Sequence, residues 1–374
     1  MVVRAPRSEW YTCTVMPLPP PKGRGSPIAP PNRFGGQYEE EDLEHVADDE
    51  ETLAELSRAD TVYIPDDSRS VVSENDSPDV SFRYSLNPYR GCLHGCSYCY
   101  ARPSHEYLGL NAGIDFETKI FVKHKAPALF REWLSRDKYV PEIVMLSGIT
   151  DCYQPAEREF RLTRACLEVA RDAGQPITMV TKNALITRDL DILAEMAARN
   201  LVGVAMSVTS LKPEITAQLE PRSSRPEARL RAIRELSAAG VPVRVMVAPI
   251  IPGLTDTETP AILQAAREAG ARFASYVLVR LPWTVRPVFQ EWLDRTQSEA
   301  VRDKISSLIL HTRDGKWNDP SFGSRMCGQG AIADQIAATF KVFKSKLGYE
   351  HGSVELDTSQ FRPPVGRDGQ MRLF

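Results

Sequence analysis

Beyond residue 81, the chain alternates short apolar segments rich in β-branched residues with longer amphipathic segments. A short, nearly continuous apolar segment predicts a β-strand that is buried on both faces. Six strands are predicted in this way, at residues 82–87, 142–147, 177–182, 202–208, 243–250 and 274–281.

Amphipathic helices are predicted after each of the last five strands. Three of them end close to a glycine (Gly174, Gly240 or Gly270), the residue that most readily takes the left-handed conformation at a helix C-terminus. The predicted helices span residues 158–172, 188–199, 226–239, 256–269 and 285–295, and a further helix spans residues 331–344.

Strands that alternate with helices predict a parallel sheet, because a parallel pair needs a long crossover connection. Six such units in order predict an α/β fold, a partial parallel (β/α)6 barrel of the TIM type. The alternative is an open doubly wound sheet, which carries a G-x-G-x-x-G turn after its first strand. The sequence contains neither that turn nor a G-x-x-x-x-G-K-S/T loop. In parallel barrels, functional side chains gather where the strands end.

The composition is that of a globular protein: 374 residues, of which 42% are hydrophobic and 25% are charged. No stretch of 18 or more consecutive apolar residues is present, which argues against a membrane span. The N-terminal residues also lack the apolar core of a secretory signal. We therefore expect a cytoplasmic protein with no membrane partner.

The N-terminal segment differs from the rest of the chain. Residues 1–37 contain eight prolines, and residues 38–51 are strongly acidic. Such segments bury too little apolar surface to offset the entropy of ordering. We therefore predict a flexible tail over residues 1–60, a main domain over 61–300 and a small helical extension over 301–374. Met16 is a hypothetical alternative translation start, which N-terminal mass spectrometry of the native protein would test.

The net charge of −3 conceals an asymmetry. Residues 1–80 hold 7 basic and 17 acidic side chains, a charge of −10, so the remaining residues carry +7. A basic body suits nucleic acid or another anion. Solvated charges scattered over the surface explain the value equally well.

Three of the seven cysteines, Cys92, Cys96 and Cys99, lie close together with the spacing C-x3-C-x2-C. In a cytosolic chain such a group indicates a metal centre rather than disulfides, and Gly91 and Gly95 let the backbone curl around it. A four-iron cluster held by three cysteines keeps one iron without a protein ligand. Three alternatives remain: a zinc site completed by His94, a cluster closed by a distant fourth cysteine, and three unrelated buried thiols.

This spacing, with an aromatic residue directly before the last cysteine, resembles the signature of the radical SAM superfamily. The resemblance implies that Cys92, Cys96 and Cys99 hold three irons of a 4Fe–4S cluster. The fourth iron would bind S-adenosylmethionine. A one-electron reductant of the flavodoxin or ferredoxin type would then drive formation of a 5′-deoxyadenosyl radical, which abstracts hydrogen from the substrate.

The resemblance extends over residues 22–374, which are similar to an uncharacterised bacterial family of radical SAM proteins related to spore photoproduct lyase. The matching stretches are residues 75–79, 100–105, 115–119, 153–155, 219–222 and 356–364.

The lyase-like pattern also implies which residues bind S-adenosylmethionine. An aromatic residue beside the last cysteine would meet the adenine, a lysine would lie near the cofactor carboxylate, and polar residues would meet the ribose or the methionyl end. These positions are Tyr98, Tyr100, Thr150, Asp151, Lys182 and Ser207. Most of them follow a predicted strand, as expected for residues at one edge of a barrel.

A lyase of this kind needs a hydrogen donor, which the resemblance places at Gly148. Glycine has no thiol, so photoproduct repair is in doubt. Cys152, four residues further on, is a candidate catalytic residue if it faces the cavity. Cys166 lies inside a predicted helix and is expected to be a core thiol.

Two further groups are open to more than one interpretation. A set of basic and aromatic residues near the cysteines either stacks bases and meets phosphates or packs around the cluster. These residues are Tyr89, Arg90, Arg102, His105 and Tyr107. Glu220 and Arg222 either form an ion pair at the surface or touch the substrate, and the surface ion pair is the favoured interpretation.

The leading hypothesis is a radical SAM enzyme that acts on a nucleic-acid lesion or base. A peptide or small-molecule substrate is the second possibility within the enzyme class. A non-catalytic iron–sulfur electron carrier or binding module is the alternative from another class.

Overall fold

The computed structural model describes residues 23–35 and 59–364. The strands are β1 (Val62–Pro65), β2 (Val72–Glu74), β3 (Tyr84–Leu86), β4 (Tyr89–Arg90), β5 (Lys119–Val122), β6 (Val144–Leu146), β7 (Ile177–Thr181), β8 (Val202–Ser207), β9 (Val243–Ile250) and β10 (Phe273–Leu278). The main element is a seven-stranded sheet with the order β10-β9-β8-β7-β6-β3-β2, and a second sheet has the order β1-β5-β4.

Six strands of the large sheet are parallel and follow one another in chain order, from β3 through β6 to β10. All six lie within or against the ranges that the apolar pattern predicts. The parallel α/β sheet is therefore confirmed, and it gains one antiparallel edge strand, β2, which pairs with β3. Because the strands are parallel, their carboxyl ends share one edge of the sheet, here called the carboxyl edge.

Helices connect the strands and cover the sheet. Twelve α-helices lie in the part of the chain that the structure describes: α1 (Ile114–Thr118), α2 (Ala126–Leu134), α3 (Glu157–Phe160), α4 (Leu162–Ala173), α5 (Leu190–Ala198), α6 (Pro213–Leu219), α7 (Pro226–Ala238), α8 (Thr259–Glu268), α9 (Val285–Thr296), α10 (Glu299–His311), α11 (Ser324–Cys327) and α12 (Gly330–Lys346). Short 3-10 helices occur at Arg102–Leu108, Ala184–Asp189 and Asp256–Glu258.

The helix predicted over residues 158–172 is interrupted. It divides into α3 and α4 because Arg161 adopts a positive φ of 50°. The Glu157 carboxylate then accepts the backbone N–H groups of Thr163 (3.0 Å) and Arg164 (3.3 Å) at the start of α4. A carboxylate in this position satisfies donors that have no partner within the helix.

The core lies between the strands and the helices. Residues of β7, β8 and β9 pack with the apolar faces of α4, α5, α7 and α8 in one large hydrophobic cluster. Cys166 belongs to this cluster and is 1% exposed, as expected for a core thiol. Among the described residues, no helix is long and apolar enough to cross a membrane.

Residues 23–35 contact the body of the protein, although the sequence places them in the flexible tail. Arg24 and Ser26 are buried, and the Ile114 N–H donates to the Ile28 carbonyl (3.0 Å). The flexible tail was predicted from composition alone, and composition does not reveal specific contacts such as these. The other residues of the predicted tail before residue 59, including Met16, lie outside the described residues.

Candidate cofactor site at the cysteine loop

The three clustered cysteines lie in a loop that directly follows β4, here called the cysteine loop (residues 91–99). The Cys92 N–H donates to the Phe116 carbonyl (2.9 Å) and the Cys99 N–H to the Cys96 carbonyl (3.2 Å). Gly91 and Gly95 have positive φ values of 78° and 67°, so they supply the turns for which the sequence selects glycine.

The buried side-chain amide of Gln154 forms hydrogen bonds with the backbone of this loop. The Gln154 side chain accepts the Leu93 N–H (2.9 Å) and donates to the Gly91 carbonyl (3.0 Å). Sequence reasoning noted residues 153–155 only as a matching stretch. The structure shows that Gln154 fixes the start of the cysteine loop.

His94 has partners that leave it unsuited to zinc. Its Nδ1 lies 3.4 Å from Asp151 Oδ2, and its Nε2 lies 3.2 Å from Asn183 Nδ2. Burial alone would lower the pKa of His94, but Asp151 and Cys92 outweigh this effect and raise it to about 10. A protonated ring, or one engaged at both nitrogens, is a poor metal ligand, which argues against His94 as the fourth ligand of a zinc site.

One side of the cysteine loop faces residues at the carboxyl edge of the sheet, and we call it the sheet side. The Lys182 Nζ donates to Ser207 Oγ (2.6 Å) and to the Ala248 carbonyl (3.1 Å). It also lies 5.7 Å from the centre of the Tyr98 ring. The structure thus brings together three of the predicted cofactor-binding residues, Tyr98, Lys182 and Ser207.

Glu220 lies at the centre of the sheet side. Its carboxylate accepts hydrogen bonds from Tyr98 and Arg229 and from Thr209 (2.5 Å). The Lys182 Nζ is 3.7 Å away. Burial would raise the pKa of Glu220, but the charges of Arg229 and Lys182 hold it well below its usual value. The carboxylate is therefore ionised at neutral pH.

The surface ion pair predicted between Glu220 and Arg222 is wrong. The Glu220 side chain is fully buried and pairs with Arg229, whose side chain is also fully buried. Arg222 instead donates to the Gly23 carbonyl (3.0 Å). The sequence offers several arginines after Glu220, and only the packing of α7 selects Arg229.

Asp151 and Thr150 follow β6 and lie near the start of the cysteine loop. The Asp151 carboxylate accepts the Thr181 hydroxyl (2.8 Å) and the Lys182 N–H (2.8 Å). The Thr150 hydroxyl donates to the Tyr89 carbonyl (3.1 Å). Both side chains thus connect neighbouring strand ends and the loop, and their expected contact with cofactor stays a prediction.

Tyr100 and Cys152 have opposite environments. Tyr100 is 51% exposed, and its hydroxyl donates to the Gly148 carbonyl (2.9 Å). Cys152 is 0% exposed and belongs to the main hydrophobic core. The sequence makes Cys152 a candidate catalytic residue on the condition that it faces the cavity. The structure argues against that role, because a thiol packed among core side chains is not accessible to a substrate radical.

The other side of the cysteine loop, here called the strap side, is formed by residues 23–35 together with Arg102, His105 and Glu117. Arg102, His105 and Tyr89 are all fully buried. Arg102 donates to the Cys96 carbonyl (2.9 Å) and to Glu117 (2.5 Å). Of the two interpretations of these residues, packing around the loop is correct for all three, and base stacking is excluded by their burial.

Comparisons with known proteins agree with this geometry. A model of the radical SAM superfamily matches residues 86–266. An uncharacterized protein of Mycobacterium tuberculosis is 39% identical over 288 residues, which are 76% of this chain and 81% of the relative. The chain belongs to the radical SAM superfamily. Radical SAM enzymes use a 4Fe–4S cluster and S-adenosylmethionine, which confirms both predicted cofactors.

More distant relatives and solved structures extend this finding. An uncharacterized protein of Methanocaldococcus jannaschii is 28% identical over 176 residues, 47% of this chain and 63% of the relative. Spore photoproduct lyase complexed with dinucleoside spore photoproduct has a similar fold, with a TM-score of 0.57, 17% identity, and coverage of 77% of this chain and 80% of that chain. A mutant of that lyase with bound AdoMet has a TM-score of 0.57, 17% identity and coverage of 85% and 86%.

The residues of the cysteine loop fit a radical SAM cluster. Cys92, Cys96 and Cys99 are free thiols, and Cys92 and Cys96 are only 7% and 6% exposed. Among the residues that the structure describes, no group of three or more Cys, His, Asp or Glu side chains could hold a single metal ion. A cluster does not need such convergence, because each thiolate binds its own iron.

An unpaired polar group lies beside the thiols. The buried Ser97 hydroxyl, next to Cys96, has no hydrogen-bond partner among the described residues, as expected where a bound group supplies the partner. Burial also raises the pKa of Cys99 to about 11. Burial raises the pKa of Cys96 as well, so Cys96 and Cys99 are protonated until metal binding displaces their protons.

Proposed function

We propose that this protein is a cytoplasmic radical SAM enzyme that acts on a nucleic-acid lesion or modified base. The sheet is proposed to curl into the partial (β/α)6 barrel typical of the superfamily. The observation that carries the proposal is the set of three free thiols on one glycine-containing loop, beside a lysine at the carboxyl edge of the sheet.

Cys92, Cys96 and Cys99 would hold the cluster. When bound, the cluster and S-adenosylmethionine supply a 5′-deoxyadenosyl radical that abstracts hydrogen from the substrate. Lys182 is the residue suited to the cofactor carboxylate, because its side chain is 17% exposed and carries three donors. Glu220, 3.7 Å from the Lys182 Nζ, would help to position that ammonium group. Ser207, whose hydroxyl accepts from Lys182 and donates to the Ala248 carbonyl (2.8 Å), would lie beside the ribose.

Exposed aromatic and basic side chains near the strap side support a nucleic-acid substrate. The Arg33 guanidinium lies 4.3 Å from the Trp283 ring centre and 5.2 Å from that of Phe34. The Phe34 ring is 4.9 Å from that of Tyr107. Phe34, Tyr107 and Trp283 are 60%, 73% and 64% exposed. Such rings stack on unpaired bases, and adjacent arginines meet phosphates.

Arg280 supports an anionic substrate independently. It lies two residues beyond β10, and its guanidinium is 5.8 Å from the Tyr100 ring centre. Its Nε is buried without a partner, and its Nη1 is 3.5 Å from the Met326 sulfur. In the described part of the chain, no oxygen accepts a hydrogen bond from Arg280. A half-buried guanidinium in this state is ready to receive a phosphate.

The same proposal also concerns the electron donor, the nucleic-acid partner and the source of the hydrogen atom. A flavodoxin or ferredoxin type protein would supply the electron. The bound dinucleoside in the structurally similar lyase also supports a nucleic-acid substrate. Because Gly148 has no thiol and Cys152 is buried in the core, the reaction would not return hydrogen from either position.

The enzyme assignment is tested by anaerobic reconstitution followed by measurement of 5′-deoxyadenosine under reducing conditions. Cys96→Ala should lose both the cluster absorbance and the product. Cys327→Ser, which changes an exposed cysteine outside the loop, should keep both. A reconstituted protein that binds a cluster but does not cleave S-adenosylmethionine would favour the electron-carrier alternative.

The substrate class is tested with fluorescent single-stranded DNA and RNA in anisotropy titrations at several salt concentrations. The logarithm of the binding constant should fall linearly with the logarithm of salt concentration. Arg280→Met should weaken binding, whereas Arg231→Met, an exposed arginine on α7, should have no effect. Binding that is absent, or unaffected by salt, would transfer support to a peptide or small-molecule substrate.

A further inference from the structure

Residues 23–35, here called the strap, make contacts that neither the cluster chemistry nor the substrate proposal explains. Its ends reach different parts of the body. Near its start, Arg24 donates to the Thr61 hydroxyl (2.9 Å) and to the Glu117 carbonyl (2.7 Å). Near its end, Arg33 pairs with Glu106 (2.7 Å). The strap therefore lies along the strap side of the cysteine loop.

A buried carboxylate holds the first part of the strap. Glu117, in α1, is fully buried and accepts the backbone N–H groups of Gly25 (2.8 Å) and Ser26 (2.9 Å). The same carboxylate accepts a hydrogen bond from Arg102 (2.5 Å), and Arg102 also donates to the Cys96 carbonyl (2.9 Å). One charged network thus connects the strap backbone to the backbone of a cysteine.

The strap also touches the cysteine loop directly. A Cβ atom at Gly25 would lie 1.6 Å from the Gly95 carbonyl oxygen, and one at Gly95 would lie 2.6 Å from a Glu117 oxygen. No side chain fits at either position. Two glycines, one on each segment, allow the two backbones to pack against each other beside Cys96.

The far side of the strap is anchored to elements that come late in the chain. Arg295 of α9 donates to the Gly25 carbonyl (3.3 Å), and Arg222 donates to the Gly23 carbonyl (3.0 Å). The strap thereby bridges the cysteine loop and the helix that follows the last strand. The strap backbone thus donates to Glu117 on one side and accepts from Arg222 and Arg295 on the other, which is not expected of a flexible tail.

We propose that the strap is part of the cofactor site, where it seals one side of the cysteine loop and keeps solvent and oxygen from the cluster. Glu117 is a positioning residue: it acts on Cys96 through Arg102 and through the strap backbone. This inference rests on the proposed function, because it needs a cluster in the loop. It assigns to residues 23–35 a role in cluster retention.

The test measures iron release to a chelator and loss of the cluster absorbance in air, with the reconstituted full-length protein. Gly25→Val, which displaces the strap, and Glu117→Gln, which removes the charge, should each accelerate both processes about tenfold, the lower end of the effect of removing groups that support metal ligands. Ala29→Ser on an exposed strap residue and Glu132→Gln on an exposed residue of α2 are the controls.

A variant that leaves the buried Glu117–Arg102 pair intact guards against misfolding as the explanation. The double variant Arg222→Met and Arg295→Met removes two anchors while the thiols and Glu117 stay intact, and it should also release iron faster with an unchanged circular dichroism spectrum. Release rates equal to wild type in the three variants would overturn the strap proposal alone. Failure of the wild-type protein to assemble any cluster would overturn the proposed function as well.

Discussion

The cysteine loop lies between two fully buried carboxylates, and they are held in different ways. Glu220, on the sheet side, is satisfied by side chains, namely those of Arg229, Tyr98 and Thr209. Glu117, on the strap side, takes two of its hydrogen bonds from backbone N–H groups of a segment more than ninety residues away in sequence. Both carboxylates pair with a fully buried arginine.

This difference suggests different roles for the two carboxylates: Glu220 adjusts the charge of the binding site, and Glu117 depends on docking of the strap. Partners that are side chains can be exchanged by mutation, so the sheet side can be adjusted to the group that it binds. Backbone donors are present only when the segment that carries them is in place. The hydrogen bonds of Glu117 are therefore complete only when the strap is docked. Glu220 instead places a negative charge 3.7 Å from the Lys182 ammonium.

The largest expected effect comes from breaking the sheet side. Arg229→Met leaves the Glu220 carboxylate buried without its main counter-charge, and loss of one partner of a buried ion pair costs about 3–5 kcal/mol. Urea unfolding of the apo protein should show this loss. Arg231→Met on the same helix, whose side chain is 63% exposed, should be close to neutral. Equal midpoints for the two variants would contradict the importance of the buried pair.

The next effect concerns pH and the strap side. Burial lowers the pKa of His105 to about 4, while the unfolded chain has a value near 6.5. Between these values the unfolded state binds the extra proton, so stability should fall as the pH is lowered through this window, by up to about 3 kcal/mol. Unfolding midpoints measured from pH 7 to pH 4 test this.

His105→Phe should flatten the same profile, because the ring stays between Phe116 and Phe121 but no longer titrates. A variant with the slope of the wild-type protein would assign the pH dependence to another group.

A smaller effect should separate backbone from side-chain donors at Glu117. Ser26→Pro removes the N–H that Glu117 accepts, and a hydrogen bond to a charged group is worth about 2 kcal/mol. Ser26→Ala should cost nothing, because the Ser26 hydroxyl is buried without a partner in the described part of the chain. Thermal unfolding of the two variants provides the measurement. Similar losses for both would mean that the hydroxyl, not the backbone, matters.

The smallest effect is expected at an exposed ion pair, which serves as a reference for the two buried ion pairs of Glu220 and Glu117. Arg272 and Glu350 form a bidentate pair at 2.7 and 2.9 Å, but their side chains are 51% and 47% exposed. Arg272→Ala should therefore cost less than about 1 kcal/mol. Urea unfolding at low and high salt checks this value, and a larger loss would show that exposure does not separate these pairs.

The parallel sheet could be predicted because its strands are buried on both faces and therefore carry continuous apolar residues. β9, predicted over residues 243–250, has those limits in the structure. The second sheet was missed because its strands have two to four residues and mixed polarity. The break at Arg161 was also missed, since a non-glycine residue with positive φ gives no signal in the apolar pattern.

The site was predictable where it depends on residue type and spacing, and not where it depends on pairing. The cysteine loop and Lys182 carry local patterns. Glu220 has a partner on a helix nine residues later, and no local rule distinguishes Arg229 from the arginines around it. The strap was missed for a different reason: composition averages over a segment, whereas the position of the strap depends on individual contacts, such as those of the Gly25 and Ser26 N–H groups with Glu117.

The tight backbone at Gly148 has a consequence for engineering. A Cβ atom at this position would lie 2.9 Å from the Ser85 Cβ of the neighbouring strand β3. A thiol introduced there alone, to convert the protein toward lyase chemistry, would force the two strand ends apart. Replacing Ser85 with glycine would remove the Cβ atom that a side chain at position 148 would meet. The two replacements should therefore be combined, with Ser85→Gly made first so that the single variant still folds.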